Sequence, residues 1–120
     1  MDTTLWILQW TLAALFLMAG MVKLIQPKEK MAKKMGWVND FSGGTIKLIG
    51  LAEVLGALGL VLPMLTAILP ILTPLAAAGL ALLMLGAATT HIKRKEYQML
   101  IMNAILFAGA FFIFYGRMFL

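Results

Sequence analysis

The sequence predicts an all-α membrane protein: one antiparallel bundle of four transmembrane helices, with a short interfacial helix between spans one and two. Three observations carry this. The chain is 62% hydrophobic and 12% charged, with a mean hydropathy of +0.96, whereas soluble proteins average about 25% charged residues. Its apolar residues fall into four runs, each close to the ~20 residues that a helix needs to cross a hydrocarbon core about 30 Å thick. The basic residues gather at one set of run ends. A chain of 120 residues so occupied has little left for a soluble domain, and residues 1–120 read as a single transmembrane domain.

Span one is expected over about 4–25. Only Gln9, Thr11 and Lys23 interrupt the apolar run from Leu5 to Ile25, which stops at Gln26-Pro27, where proline disfavours helix in the residue before it. Met1 to Thr4 lack the basic leader of a signal peptide and the run is long for one, so this span is expected to stay in the mature protein. From Lys28 to Trp37, Pro27 stands at a first-turn position, Gly36 is a stop, and Met31 and Met35 lie one turn apart among lysines. This predicts the interfacial helix, with Met31, Met35, Trp37 and Phe41 dipping inward and the lysines meeting anionic headgroups; a solvated loop is the alternative. Asn39 to Gly44 then turn the chain back.

Span two is expected over about 45–62, ending at Pro63. Residues Met64 to Thr90 carry no charge, so a tight turn near Pro63 to Thr66 leads directly into span three, about 67–91. Pro70 and Pro74 fall in its first two turns and predict a kinked start. Lys93-Arg94-Lys95-Glu96 ends that span, and span four covers about 97–119. Lys23, Lys28, Lys30, Lys33, Lys34, Lys47, Lys93, Arg94 and Lys95 flank two loops, and only Arg117 lies opposite. The positive-inside rule places loops 26–44 and 92–96 in the cytoplasm and both termini outside, in a cell membrane.

Helices in lipid pack by close backbone approach, because apolar burial against lipid tails gains little. Gly20 on span one, Gly50, Gly56 and Gly59 on span two and Gly86 on span three are the expected packing positions. Glu53 is the most informative polar residue. It lies about eight residues, or roughly 12 Å, inside span two, too deep for a short side chain to reach the headgroups. It must be paired, protonated or hydrated. Lys23 either snorkels to the interface or pairs with Glu53. Asn103 and His91 lie toward the same end. If the faces converge, Lys23, Glu53, His91 and Asn103 form one polar cluster under a dry outer half, fit for a ligand headgroup or a proton relay. Otherwise these residues lock helix register through interhelical hydrogen bonds, and His91 is a lone interfacial residue.

The absence of cysteine excludes disulfides, thiol redox chemistry and thiolate metal sites. One histidine argues against a metal site, and no metal is expected. The ten methionines are scattered apolar filler. Trp6, Trp10, Trp37, Tyr97 and Tyr115 fall near span ends as interfacial anchors. The basic residues lack the interleaved aromatics of a nucleic-acid surface, and no nucleic acid is expected. No nucleophile–base pair or phosphate-binding glycine loop is present, so no catalytic residue is assigned.

Phe16-x-x-x-Gly20-x-x-Lys23, Lys47-x-x-Gly50-x-x-Glu53-x-x-Gly56-Ala57-Leu58-Gly59-Leu60, Pro74-Leu75-Ala76-Ala77 through Gly86, then His91, Asn103 and the closing Tyr115-Gly116-Arg117 together resemble the DoxX-like family over nearly the whole chain. The resemblance implies a four-span bundle. It implies a varied function: some relatives are small subunits of a thiosulfate:quinone oxidoreductase, others associate with membrane redox or detoxification proteins, and a distant animal branch assists receptor assembly. One expectation is an accessory subunit whose cluster holds a quinone or other lipid-soluble ligand in a cavity reaching Glu53. The other is a scaffold with a packed bundle and no cavity. A proton-coupled carrier would need discontinuous helices. The expected partners are the lipid bilayer, a membrane redox protein and, as a homo-oligomer, further copies of the chain.

Overall fold

The computed structural model describes residues 1–120. Four long helices, α1 (Asp2–Ile25), α3 (Gly43–Thr66), α4 (Leu72–Lys93) and α5 (Tyr97–Phe119), form an antiparallel bundle, with the short α2 (Lys28–Ala32) and a 3₁₀ turn (Gly36–Asp40) between α1 and α3. Each long helix is apolar enough to cross a membrane. The molecule measures 41 Å along its longest axis, comparable with a bilayer of about 40–45 Å including headgroups. Only 25 of the 120 residues are buried, while Leu48, Leu55, Leu82, Ile101 and Ile105 stand more than half exposed. An all-round apolar surface of this extent needs hydrocarbon as its solvent. The protein is a multi-pass integral membrane protein.

Each boundary has a local cause. α1 ends where Gln26 turns extended before Pro27. The Ser42 hydroxyl caps α3 by accepting from the Thr45 amide at 3.1 Å. α3 does not stop at Pro63 but runs on to Thr66 and is closed by Ala67 and Leu69, both with positive φ. Proline removes one hydrogen bond, which a packed membrane helix tolerates. Residues 67–71 are therefore connection, and α4 starts at Leu72 rather than 67. Pro70 lies outside it and Pro74 in its first turn, where amides have no helical partner, so neither has to kink the helix. α4 ends in a Schellman motif: the Glu96 amide donates to the His91 carbonyl at 2.9 Å and the Lys95 amide to that of Ile92 at 3.1 Å, with Lys95 at φ 59°.

The helices form a ring, α1 against α3, α3 against α4, α4 against α5 and α5 back against α1. Gly20 and Gly50 face each other: a Cβ on Gly20 would stand 2.6 Å from the Gly50 carbonyl oxygen, and one on Gly50 2.8 Å from that of Gly20. α3 meets α4 at Gly56 against Leu80 and Gly59 against Ala76. α5 meets α1 at two glycines that were not among the expected packing positions, Gly109 against Leu12 and Gly116 against Leu5. Gly86, expected to be a packing position, has nothing within 4 Å of where its Cβ would be beyond its chain neighbours and the backbone of its own helix. It is a wall, as described below. Phe16, Leu60, Leu80 and Ile113 centre the main core.

Two further expectations are corrected. The segment after α1 breaks into α2 and the 3₁₀ turn, and Trp37 is no interfacial anchor. It packs with Met31, Val38 and Ile46 in a second, smaller core, folded against the bundle. The far half is not dry either. Buried Gln9 donates to the Leu60 carbonyl at 2.7 Å and accepts from Arg117 Nε at 2.6 Å, and Arg117 pairs with Asp2 at 2.6 Å. Three helices are thereby tied at the Pro63 end by one satisfied polar chain.

Overpacking a close approach costs about 1–3 kcal/mol. Gly20→Ala is therefore expected to lower the thermal midpoint in detergent clearly, because its contact is backbone and cannot yield. Gly86→Ala should leave the midpoint within the small range of an unconstrained site.

Candidate ligand-binding site

The approach at Gly20 and Gly50 positions the first polar pair. A Cβ on Gly50 would stand 2.8 Å from Lys23 Cβ, so the stem of Lys23 lies directly along α3. Helical side chains lean toward the N-terminus of their helix, which for α1 means inward from the lysine-rich end. Lys23 follows that direction and does not snorkel. Its Nζ reaches Oε1 of Glu53 at 2.8 Å, with the side chains 13% and 4% exposed. Oε1 is buried and the ammonium lies off its hydrogen-bonding direction, so the contact is an ion pair by distance. Lys47, one turn before Glu53's own turn, donates instead to the Leu24 carbonyl at 3.0 Å and caps α1.

On the facing helix pair, the Schellman motif folds Glu96 back over the last turn of α4. Its Oε1 lies 2.9 Å from His91 Nδ1, and Arg94 Nε lies 3.4 Å from its Oε2. Arg94 also grips both oxygens of Asp40 at 3.1 and 3.2 Å, which ties the 3₁₀ turn to the α4–α5 connection. Trp37 thereby sits between the two walls, with Lys23 Nζ 5.7 Å from its ring centre and the His91 ring edge-on at 6.3 Å. Asn103 of α5 donates weakly to the Met84 carbonyl at 3.4 Å.

Toward the Pro63 end the two helix pairs touch, and toward the lysine-rich end they part. The space between them is a cleft of about 790 Å³, within the ~300–1,000 Å³ usual for small-molecule sites. Lys23, Glu53, His91 and Asn103 all line it, with Trp37. Lys23 and Glu53 meet, while His91 and Asn103 make other bonds on the opposite wall. Gly86 lines the cleft too, and its missing side chain widens the space. Most of the lining is apolar, 15 of 22 residues, so the polar atoms are few against a greasy wall. Met18 of α1 and Met102 of α5, both more than half exposed, lie on its flank and open it toward the lipid side.

Sequence reading missed Trp37, Glu96, Arg94 and Asp40 as parts of this site. The signal for Glu96 was a single acid closing a run of three basic residues. For Trp37 no periodicity exists to be read, because a 3₁₀ turn places it. The hydrogen bond from His91, opposed by burial and assisted by the hydrogen bond and charge of Arg94, holds the Glu96 carboxyl below the ordinary carboxylate range.

The family model of the DoxX-like family matches residues 7–113. No curated protein and no solved structure matches the chain.

Two outcomes follow from this geometry. Removing one partner of a buried ion pair costs about 3–5 kcal/mol; Lys23→Met should lower the thermal midpoint more than the double variant Lys23→Met/Glu53→Leu, which strands no charge. Because the Glu96 pKa is lowered by folding, its contribution is complete above the ordinary carboxylate value and lost as pH falls through the lowered one. Melting curves across that acid window should show a steeper fall for the wild type than for Glu96→Gln.

Proposed function

The chain belongs to the DoxX-like family and is an integral membrane protein, and on that premise we propose that it is a non-catalytic accessory subunit that binds a quinone, or another lipid-soluble ligand of like shape, for a membrane redox system. One observation carries the reading: the cleft between the parted helix pairs reaches the Lys23–Glu53 pair. A bundle whose polar residues served only to fix register would fill that space, since voids forfeit packing contacts.

The residues present suit such a ligand. Lys23 and the His91 and Asn103 side chains supply polar groups for the oxygens of a headgroup, Trp37 offers a ring face for stacking, and the apolar wall and lipid-side flank take a tail. A quinone when bound would supply electron and proton exchange; the protein's part is to hold and orient it. In this reading the lysine-rich end faces the cytoplasm of a cell membrane, by the distribution of Lys and Arg. The partner is a membrane redox protein, and the shallow groove of Ala52, Gly56, Ala76 and Gly79 on α3 and α4 is where its helix would fit, because small residues permit close backbone approach. Lys23, Glu53, His91 and Asn103 are the binding residues.

The test is an unbiased mass-spectrometric search for small molecules that co-purify with the detergent-extracted protein, wild type beside Glu53→Gln. A quinone or similar lipid-soluble molecule retained by the wild type and lost from the variant is the expected result. An empty wild type, with a variant that loses only thermal stability, would make Glu53 a structural pin and the protein a scaffold.

A further inference from the structure

His91 and Glu96 are more than a helix-end contact. The His91 side chain is 6% exposed and lines the cleft, while that of Glu96 is 25% exposed at the lysine-rich surface. A carboxylate accepts, so the nitrogen facing it at 2.9 Å carries the proton. That fixes the tautomer and leaves Nε2 as the basic atom of the ring, and Nε2 has no hydrogen-bond partner within the protein. A carboxylate behind an imidazole also stabilises the imidazolium that forms when Nε2 takes a proton. The arrangement has a wet end, a buried middle and a free basic nitrogen on a cavity-lining residue.

We infer that the His91–Glu96 pair is a proton path between the lysine-rich surface and the cleft, so that the cleft takes a ligand whose headgroup exchanges a proton, of the phenol or hydroquinone class. This rests on the reading that the cleft holds a lipid-soluble ligand, and it names the chemistry of that ligand. In the step, the O–H bond of a headgroup hydroxyl placed against Nε2 breaks. Its electron pair stays on the ligand oxygen, its proton bonds to Nε2, and the Nδ1 proton passes to Glu96 and from there to surface water. Nothing is oxidised or reduced.

The charged surroundings suit this direction. Across Trp37, α1 presents the Lys23 ammonium on the opposite wall of the cleft, with Glu53 of α3 already bound to it. Arg94 braces Glu96 and is itself held by Asp40. α5 presents only neutral Asn103, and Lys93 and Lys95 are exposed. Two residues of this set act by position: Arg94 and Asp40 fix Glu96 and the Trp37 turn and touch no ligand.

The experiment uses 4-nitrophenol, whose anion absorbs visible light and whose neutral form does not, with the full-length protein in detergent. Equilibrium dialysis measures binding, and absorbance of the bound fraction across pH measures ionisation. The wild type should ionise the bound probe about tenfold more readily than water does, a downward shift of about one pKa unit. Glu96→Gln keeps an acceptor for Nδ1 and, whatever its affinity for the probe, should lose the shift in the fraction that binds. His91→Phe, which keeps a ring against Trp37, should lose it as well. An equal shift in all three proteins would assign it to Lys23 and overturn the proton path. A probe bound by the wild type in its neutral form would overturn the path and leave the cleft reading standing. No retention in dialysis would overturn both.

Discussion

The contact on which the rest depends is the approach of α1 and α3 at Gly20 and Gly50, where each backbone carbonyl lies within van der Waals reach of the other glycine. Lipid tails are as apolar as leucine, so helices in a membrane gain little by hiding leucines from them and must gain by backbone proximity and polar bonding. The two glycines supply the proximity. By bringing the axes close they also leave Lys23 no room to lie elsewhere than along α3, where Glu53 waits one turn deeper. A buried carboxylate in hydrocarbon is tolerable only with such a partner, so the packing contact and the charged site are one arrangement.

The two ends of the bundle are built on different terms. Toward Pro63, apolar interdigitation about Phe16, Leu60, Leu80 and Ile113 is reinforced by the Gln9–Arg117–Asp2 chain, which satisfies each polar group it brings in. Toward the lysine-rich end the same helices part, and the seam is closed by Trp37 and the Arg94–Asp40 grip rather than by helix contact. A firmly joined half lets the other half stay open without losing register. The open half is also where unfilled space and uncommitted polar atoms coincide, the combination that characterises ligand sites.

Short local motifs do much of the positioning. The Schellman turn at Lys95 places Glu96 over His91 through two backbone hydrogen bonds, and a 3₁₀ turn of five residues sets Trp37 between the walls. Neither motif has a hydrophobic period, and both follow from where helices end, which explains why an apolar-run reading placed the spans yet misassigned Trp37.

By itself the sequence determined the fold class, the four spans, the gathering of charge at one end and the depth of Glu53, because these follow from run length, polarity and a fixed rise per residue. It also singled out Gly20, Gly50, Gly56 and Gly59, since close packing in lipid selects small residues at helical spacing. Only the tertiary structure decided which faces meet. Rotation of a helix about its axis leaves hydropathy unchanged, so the chain could not tell that Gly86 faces a void while Gly109 and Gly116 face α1, or that Gln9 would find Arg117 across more than a hundred residues. Nor could it tell that Lys23 turns inward to Glu53, since snorkelling and pairing satisfy the same composition and only the distance between two helix axes chooses between them.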